Sequence, residues 1–137
     1  DNVALGKNQA ITSTTPVEIE GSSLITPEFF KKTKVLVSFK IIAWIGNVNA
    51  GAFSGTATMS INIDGYNYLA AQDGAKVIFA STDTTNSDNR ETLSNSFIFT
   101  LDPGVHTIKL VGQIDATNIN AQIIINSANL MYTVLLE

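Results

Sequence analysis

The chain has 137 residues, of which 45% are hydrophobic and 15% are charged; this composition fits one globular domain and excludes intrinsic disorder. The absence of cysteine excludes a disulfide framework, and nine glycines cannot supply a collagen repeat. Eight basic and twelve acidic residues give a net charge of −4, the wrong sign for binding phosphates. We therefore expect a single domain over residues 1–137 with no nucleic-acid partner.

Apolar residues recur mainly at every second position between clusters of Gly, Asn, Asp and Pro, which predicts short β-strands. In chain order the β-rich segments are residues 9–13, 17–20, 34–45, 56–64, 66–70, 76–80, 92–101, 105–115, 121–126 and 129–136. Residues 26–33 have room for one helical turn, and Asp64-Gly65 reads as a tight hairpin turn. The pattern predicts an all-β antiparallel sandwich of about nine strands, a jelly roll or another Greek-key arrangement. No apolar run is long enough to insert into a membrane.

Two of the predicted strands are apolar on both faces. An antiparallel strand of a sandwich is usually apolar on one face only. In jelly rolls the first long strand and the last strand commonly lie side by side, and their second apolar faces then form one patch on the outside of the sheet. The patch predicted in this way consists of Leu36, Ile42, Trp44, Met131 and Leu135, with Ile98, Val111 or Ile124 as extensions.

This patch is interpreted as a subunit interface. Burying five large apolar side chains contributes about 8–15 kcal/mol per subunit, whereas association costs about 4–15 kcal/mol. The alternative is local cover, in which the N-terminal arm, residues 1–20, or a loop folds over the patch. The same arm could instead pack on a neighbouring subunit.

The C-terminal part of the sequence carries a resemblance to a known family. Residues 101–110 read Leu-Asp-Pro-Gly-Val-His-Thr-Ile-Lys-Leu, and strand-like segments at 121–125 and 129–137 follow. Together they resemble the small trimeric jelly rolls: the tumour necrosis factor-like and complement-globular-head folds and the fibre, baseplate and capsid-attached domains of bacteriophages. The resemblance covers roughly the last 40 of 137 residues, and it implies a homotrimer without deciding the function.

The side chains offer little for catalysis. With His106 as the single histidine and no cysteine, the sequence forms neither a catalytic triad nor a zinc site. His106 is expected to cap or pack at the start of a strand. Residues 83–91 carry oxygen ligands at alternate positions, but they lack the glycine of an EF-hand loop and are read as a solvated loop. We expect no enzyme activity, no cofactor and no metal.

Three aromatic residues are candidates for facing a ligand, Phe53, Tyr66 and Tyr68, and Trp44 is a fourth aromatic residue considered for stacking on a sugar. Aromatic rings of this kind can stack on a sugar. The alternative is that Tyr66 and Tyr68, which share a strand face, line the core.

These observations lead to two hypotheses about function. The first is a non-enzymatic structural or adhesive domain of a virion, a homotrimer that decorates a phage particle or presents loops to a host surface. Its partners would be copies of itself, other virion proteins or a host glycan. The second is a monomeric carbohydrate-binding module of a secreted or cell-surface bacterial protein. A variant of the first hypothesis is a bacterial surface or spore-coat trimer of the same fold.

Overall fold

The computed structural model describes residues 3–47, 55–68, 77–81, 91–116 and 121–135. These residues form nine β-strands and no helix. The strands are β1 (Val3–Ile11), β2 (Val17–Ile25), β3 (Thr33–Asn47), β4 (Gly55–Ile63), β5 (Tyr66–Tyr68), β6 (Val77–Ser81), β7 (Glu91–Leu101), β8 (Thr107–Ala116) and β9 (Ala121–Val134). The prediction of an all-β chain is thereby confirmed.

The strands form two antiparallel sheets that pack as a sandwich. Sheet A has the order β1-β9-β3-β7, and sheet B has the order β2-β8-β4-β5, with β6 also paired to β4. Strand β6 pairs with residues 55–59 of β4 and β5 pairs with residues 61–63, so the two short strands share one position beside β4. This leaves eight strand positions, and their order is that of a jelly roll, as predicted.

Alternating apolar residues bring the two sheets together. On β3 and β4 every second side chain faces the opposite sheet, because successive side chains of a strand point to opposite faces. Each fully buried large apolar side chain contributes about 1.5–3 kcal/mol. The core includes Val35, Val37, Phe39, Ile41, Leu130 and Tyr132 from sheet A and Ala57, Met59, Ile61, Ile108 and Leu110 from sheet B.

The expected helical turn in residues 26–33 is wrong. The segment contains no helical turn: Phe29 forms an isolated bridge with Gly104, and the chain bends at Phe30 and Lys31. The N–H of Phe29 donates to the Gly104 carbonyl at 2.9 Å, and the N–H of Gly104 donates to the Phe29 carbonyl at 2.8 Å. These bonds use the backbone groups that a helical turn would need, and the buried Phe29 ring gives the connection an anchor in the core.

The last strand also differs from the prediction. Residues 121–126 and 129–136 were expected as separate strands, but β9 is continuous from Ala121 to Val134. Its register with β3 shifts at one point, since Ile42 pairs with Ser127 and Ala43 pairs with Ile125. Asn126 is therefore the extra residue of a β-bulge, which interrupts the period-two pattern without ending the strand.

Candidate functional site

The candidate interaction surface is the outer face of sheet A, which points away from sheet B. The predicted adjacency of the first long strand and the last strand is confirmed, because β3 and β9 are antiparallel neighbours. Leu36 lies between Thr133 of β9 and Ile98 of β7, and Met131 lies opposite Ser38. Diagonal neighbours of this kind are within reach of long side chains, so Leu36, Ile98 and Met131 form one apolar cluster.

This cluster is open to solvent. The exposed fraction is 62% for Ile98 and 43% for Met131, while Leu36 is half-buried. Leu135 is also half-buried, and its N–H donates to the carbonyl of Lys34 at 2.9 Å. Leu36, Met131 and Leu135, three of the five predicted residues, thus form a partly exposed apolar surface at one end of β3 and β9.

The other two residues of the predicted patch, Ile42 and Trp44, lie further along β3. Ile42 is half-buried and lies six residues, about 20 Å, along β3 from Leu36. Trp44 pairs with Ile124 through the backbone; the side chain of Trp44 lies outside the described part of the chain. Ile42 therefore does not contact the cluster around Leu36, and one continuous patch of all five residues stays a prediction.

A groove of about 640 Å³, lined mainly by polar residues together with Phe39 and Met131, lies between Leu36 and Ile42. The hydroxyl groups of Ser38 and Ser96 lie 2.9 Å apart across β3 and β7. Other side chains that line the groove are those of Lys40, Ser94, Asn95, Asn129 and Met131. The polar residues of β3 and β7 are visible in the sequence, but the register that places Ser38 beside Ser96 is not.

The outer face of sheet B is different, because Thr58, Ser60 and Val111 are buried on it. Val111 pairs with Ser60 of β4 and Glu18 of β2, so the suggestion that Val111 extends the patch is wrong. Ile98 and Ile124 do belong to sheet A.

The segment that was considered as an arm contributes strands to both sheets. β1 pairs antiparallel with β9 within sheet A, from Val3 opposite Met131 to Ile11 opposite Ile123. β2 then joins sheet B beside β8. Because β1 lies beside β9 in the same sheet, it leaves Met131 exposed, and the described part of residues 3–20 does not cover this side chain.

A second group of polar residues lies where the β4–β5 hairpin meets the start of β8. Asp64 and Gly65 have φ angles of 53° and 90°, as a tight type I′ turn requires, so the predicted hairpin turn is confirmed. Oδ1 of Asp64 accepts the N–H of Thr107 at 2.8 Å. Nδ1 of His106 lies 2.6 Å from Oδ2 of Asp64, and Nε2 of His106 lies 2.7 Å from the carbonyl oxygen of Asp102.

Both ring nitrogens of His106 face acceptors, which suits the protonated ring because imidazolium donates from both nitrogens. Partial burial is the largest single influence on the pKa of His106 and lowers it. The hydrogen bonds to Asp102 and Asp64 together outweigh burial, and the pKa of His106 is raised above 6.5. For Asp64, burial raises the pKa, but the bonds to Thr107 and His106 outweigh it and lower the pKa below 3.8. His106 thus connects two turns, a structural role.

The predicted ligand-facing aromatics are not equivalent. Tyr66 is 50% exposed on the hairpin. Its ring packs edge-on against that of Tyr68, with ring centroids 4.8 Å apart. Tyr68 is half-buried, and its ring packs edge-on against that of the core residue Phe99, with ring centroids 4.9 Å apart. Phe53 lies outside the described residues. Tyr66 is therefore the surface aromatic of this set, and Tyr68 supports it from the core side.

Metal ligands do not cluster in the described ranges: no three His, Asp or Glu side chains there are placed to hold an ion. Nor does the described part of the chain contain a helix with the length and apolar character to cross a bilayer.

Comparison with solved structures agrees with the jelly-roll fold. No family model and no curated protein matches the chain. A structure of infectious bursal disease virus, Gt strain, is similar over 95% of this chain and 32% of its own, with 9% identity and a TM-score of 0.50. The insecticidal delta-endotoxin Cry8Ea1 of Bacillus thuringiensis is similar over 92% of this chain and 19% of its own, with 11% identity and a TM-score of 0.46.

A carbohydrate-binding domain is also similar to this chain. The CBM36-1 domain of a xylanase from the hindgut metagenome of Trinervitermes trinervoides matches over 94% of this chain and 96% of its own, with 14% identity and a TM-score of 0.43. The chain spans about a third or less of the virus and toxin proteins it matches. At these identities the similarity shows the fold, a jelly-roll β-sandwich, and no activity.

Proposed function

We propose that this chain is a non-enzymatic structural or adhesive domain of a phage-type particle that assembles as a homotrimer through the outer face of sheet A. The observation that supports this proposal best is the exposed apolar cluster of Leu36, Ile98 and Met131. Buried core residues account for the opposite face of the same strands, so the fold itself does not need this cluster.

The polar groove fits an assembled surface of this kind. Interfaces commonly combine a central apolar contact with polar and hydrated surroundings. In the proposed trimer, Leu36 and Met131 would meet the neighbouring subunit, and Ser38, Lys40 and Ser96 would border the contact. The virus structure named above gives a precedent for this fold in a particle, although it supports the fold alone.

Sedimentation of the wild-type chain and two variants tests the trimer. We expect a species of about 44 kDa, three copies of the 14.7 kDa chain, at micromolar concentration. Met131→Asp places a charge in the proposed contact and should give monomers. Ile25→Asp is the matched control, because Ile25 is an exposed apolar residue on sheet B and its replacement should leave the trimer intact. A wild-type monomer at micromolar concentration would refute the proposal.

The second candidate function is a secreted or cell-surface carbohydrate-binding module. The observation that favours it is the exposed ring of Tyr66, held against Tyr68. A glycan array tests this function: binding should be lost in Tyr66→Ala and kept in Phe30→Ala, since Phe30 is an aromatic residue that is 87% exposed elsewhere. Binding that persists in Tyr66→Ala would exclude this site.

A further inference from the structure

Strand β7 is an edge strand of sheet A. Within the described residues it pairs with β3 on one side, and the strand order of the sheet ends at β7. The pairing with β3 runs without a bulge from Thr33–Leu101 to Ala43–Glu91. A strand of 11 residues extends about 36 Å, so this is a long and regular edge.

The backbone groups of β7 that point away from β3 belong to alternate residues. The carbonyl of Lys34 bonds to Leu135, so the backbone of Lys34 points toward β9 and that of Val35 points toward β7. Val35 pairs with Phe99, and the residues of β7 that alternate with Phe99 direct their N–H and C=O groups outward. Consistent with this geometry, the N–H of Ser96 bonds to the side chain of Asn95. The outward-directed set is Thr92, Ser94, Ser96, Ile98 and Thr100.

Apart from Glu91 at its start, this edge lacks the devices that usually prevent strand pairing. Charged side chains, proline and bulges commonly protect edge strands. Residues 92–101 contain neither a charged residue nor a proline. The side-chain oxygen of Asn95 accepts the N–H of Ser96, which is one of the outward-directed donors.

The sandwich is also incompletely closed along β7. Leu93 and Phe97 point toward the core but are only half-buried, and Asn95 between them is exposed. A strand added to β7 would extend the sheet over these side chains. The edge therefore offers backbone hydrogen bonds and apolar area together.

We propose that β7 pairs antiparallel with β7 of a second copy about a two-fold axis, joining two four-stranded sheets into one. Each copy carries a net charge of −4, so an uncharged strip is where two copies can approach with the least repulsion. A two-fold contact uses the same patch on both partners, and a strip without charges brings no like charges together. This contact goes beyond the proposed trimer: it uses backbone groups at the edge of β7, whereas the trimer uses side chains on the outer face of sheet A, and Ser96 and Ile98 belong to both.

Such an edge contact is small. Stable interfaces bury about 1,600 Å² in total, which a single pair of strands does not reach, so the pairing is weak on its own. Covalent trapping suits a weak contact, and because the chain contains no cysteine, each introduced thiol is the only one present.

The test uses Ser94→Cys, Ser96→Cys and Ile98→Cys, singly and in pairwise mixtures, under mild oxidation. Directly opposite residues in an antiparallel pair have Cα atoms about 5.5 Å apart, a distance that a disulfide can span. We expect one register to give disulfide-linked dimers at least tenfold above Ser23→Cys, an exposed position on sheet B. Running the series in a Met131→Asp background separates this contact from the trimer.

A blocking variant completes the test. Ser94→Pro removes an outward N–H and should abolish cross-linking while leaving the thermal unfolding midpoint unchanged, because proline is tolerated where the N–H of an edge strand faces solvent. Asn95→Ala frees the N–H of Ser96 and should increase cross-linking. Three results would each overturn the proposal: cross-linking no greater than in Ser23→Cys, cross-linking in every register, and cross-linking that persists with Ser94→Pro. If β7 pairs with a strand of another protein instead, the first of these results is expected.

Discussion

Nδ1 of His106 lies 2.6 Å from Oδ2 of Asp64, and this contact joins the start of β8 to a turn 42 residues earlier in the chain. The second ring nitrogen bonds to the carbonyl of Asp102, so one side chain connects the β4–β5 and β7–β8 turns. The contact is an ion pair only while His106 is protonated and Asp64 is ionised, which makes the stability of this end of the sandwich depend on pH.

The first prediction concerns this pH dependence. The pKa of His106 is raised, so its stabilisation is complete below pH 6.5 and is lost as the pH rises through the folded-state value. The pKa of Asp64 is lowered, so its stabilisation is complete above pH 3.8 and is lost as the pH falls through the folded-state value. The pair should contribute most between pH 3.8 and pH 6.5.

Thermal unfolding of the wild type and Asp64→Asn across pH measures this contribution. Asparagine tolerates the positive φ angle and can still accept the N–H of Thr107, so the variant removes mainly the charge. We expect a difference of about 1 kcal/mol near pH 5, since Asp64 is 45% exposed and the ion pair is partly screened. The difference should shrink at pH 9, and a constant difference would contradict the assignment.

The second prediction concerns the hairpin turn at Gly65. Its φ angle is 90°, and a Cβ atom there would meet nothing within 4 Å. Gly65→Ala should therefore destabilise the fold through backbone strain alone, by about 1 kcal/mol. Urea unfolding measures the change, and Gly65→Asn should cost less because asparagine adopts positive φ more readily. Equal stability of Gly65→Ala and the wild type would contradict the turn geometry.

The third prediction concerns Gly112 in the middle of β8. A Cβ atom there would lie 2.9 Å from Sδ of Met59 and 3.3 Å from Cδ1 of Ile11. Both neighbours are buried, so Gly112→Ala should overpack the core and cost about 1–3 kcal/mol. A double-mutant cycle with Met59→Ala is the check: the two changes should cost less together than separately. Additive effects would show that the contact is not tight.

The fourth prediction concerns Gln9, which connects the edge strands of the two sheets. Its side-chain nitrogen donates to the carbonyl of Glu18 at 3.0 Å, and its side-chain oxygen accepts the N–H of Glu20 at 2.8 Å. Gln9→Ala should cost about 1 kcal/mol. Gln9→Glu can accept from Glu20 but cannot donate to Glu18, so its urea midpoint should lie between those of Gln9→Ala and the wild type. Identical midpoints for all three would refute a role for this amide.

The sequence predicts the strands best where one face is apolar and the other polar. β4 and its turn at Asp64-Gly65 follow from alternation and turn chemistry alone. The prediction fails where tertiary contacts decide, as in residues 26–33, whose backbone bonds go to Gly104. It also fails at Asn126, because a bulge breaks the period without breaking the strand.

The candidate surface was only partly predictable, for a related reason. The second apolar faces of β3 and β9 are visible in the sequence, and so is their common position in a jelly roll. The polar residues between Leu36 and Ile42 were visible too, but only the register shows that Ser38 and Ser96 meet and divide the patch. The Gln9 bonds join two strands that belong to different sheets, and no local pattern announces them.

The pairing of β1 with β9 has a consequence for how this sandwich is made. Ile11 pairs with Ile123, and β3 pairs with residues of β7 that lie 48 (Ala43 with Glu91) to 68 (Thr33 with Leu101) positions later in the chain. Such long loops must close before their contacts are gained, and this slows folding. During synthesis on the ribosome, sheet A therefore stays incomplete until β9, which lies between β1 and β3, has emerged from the exit tunnel.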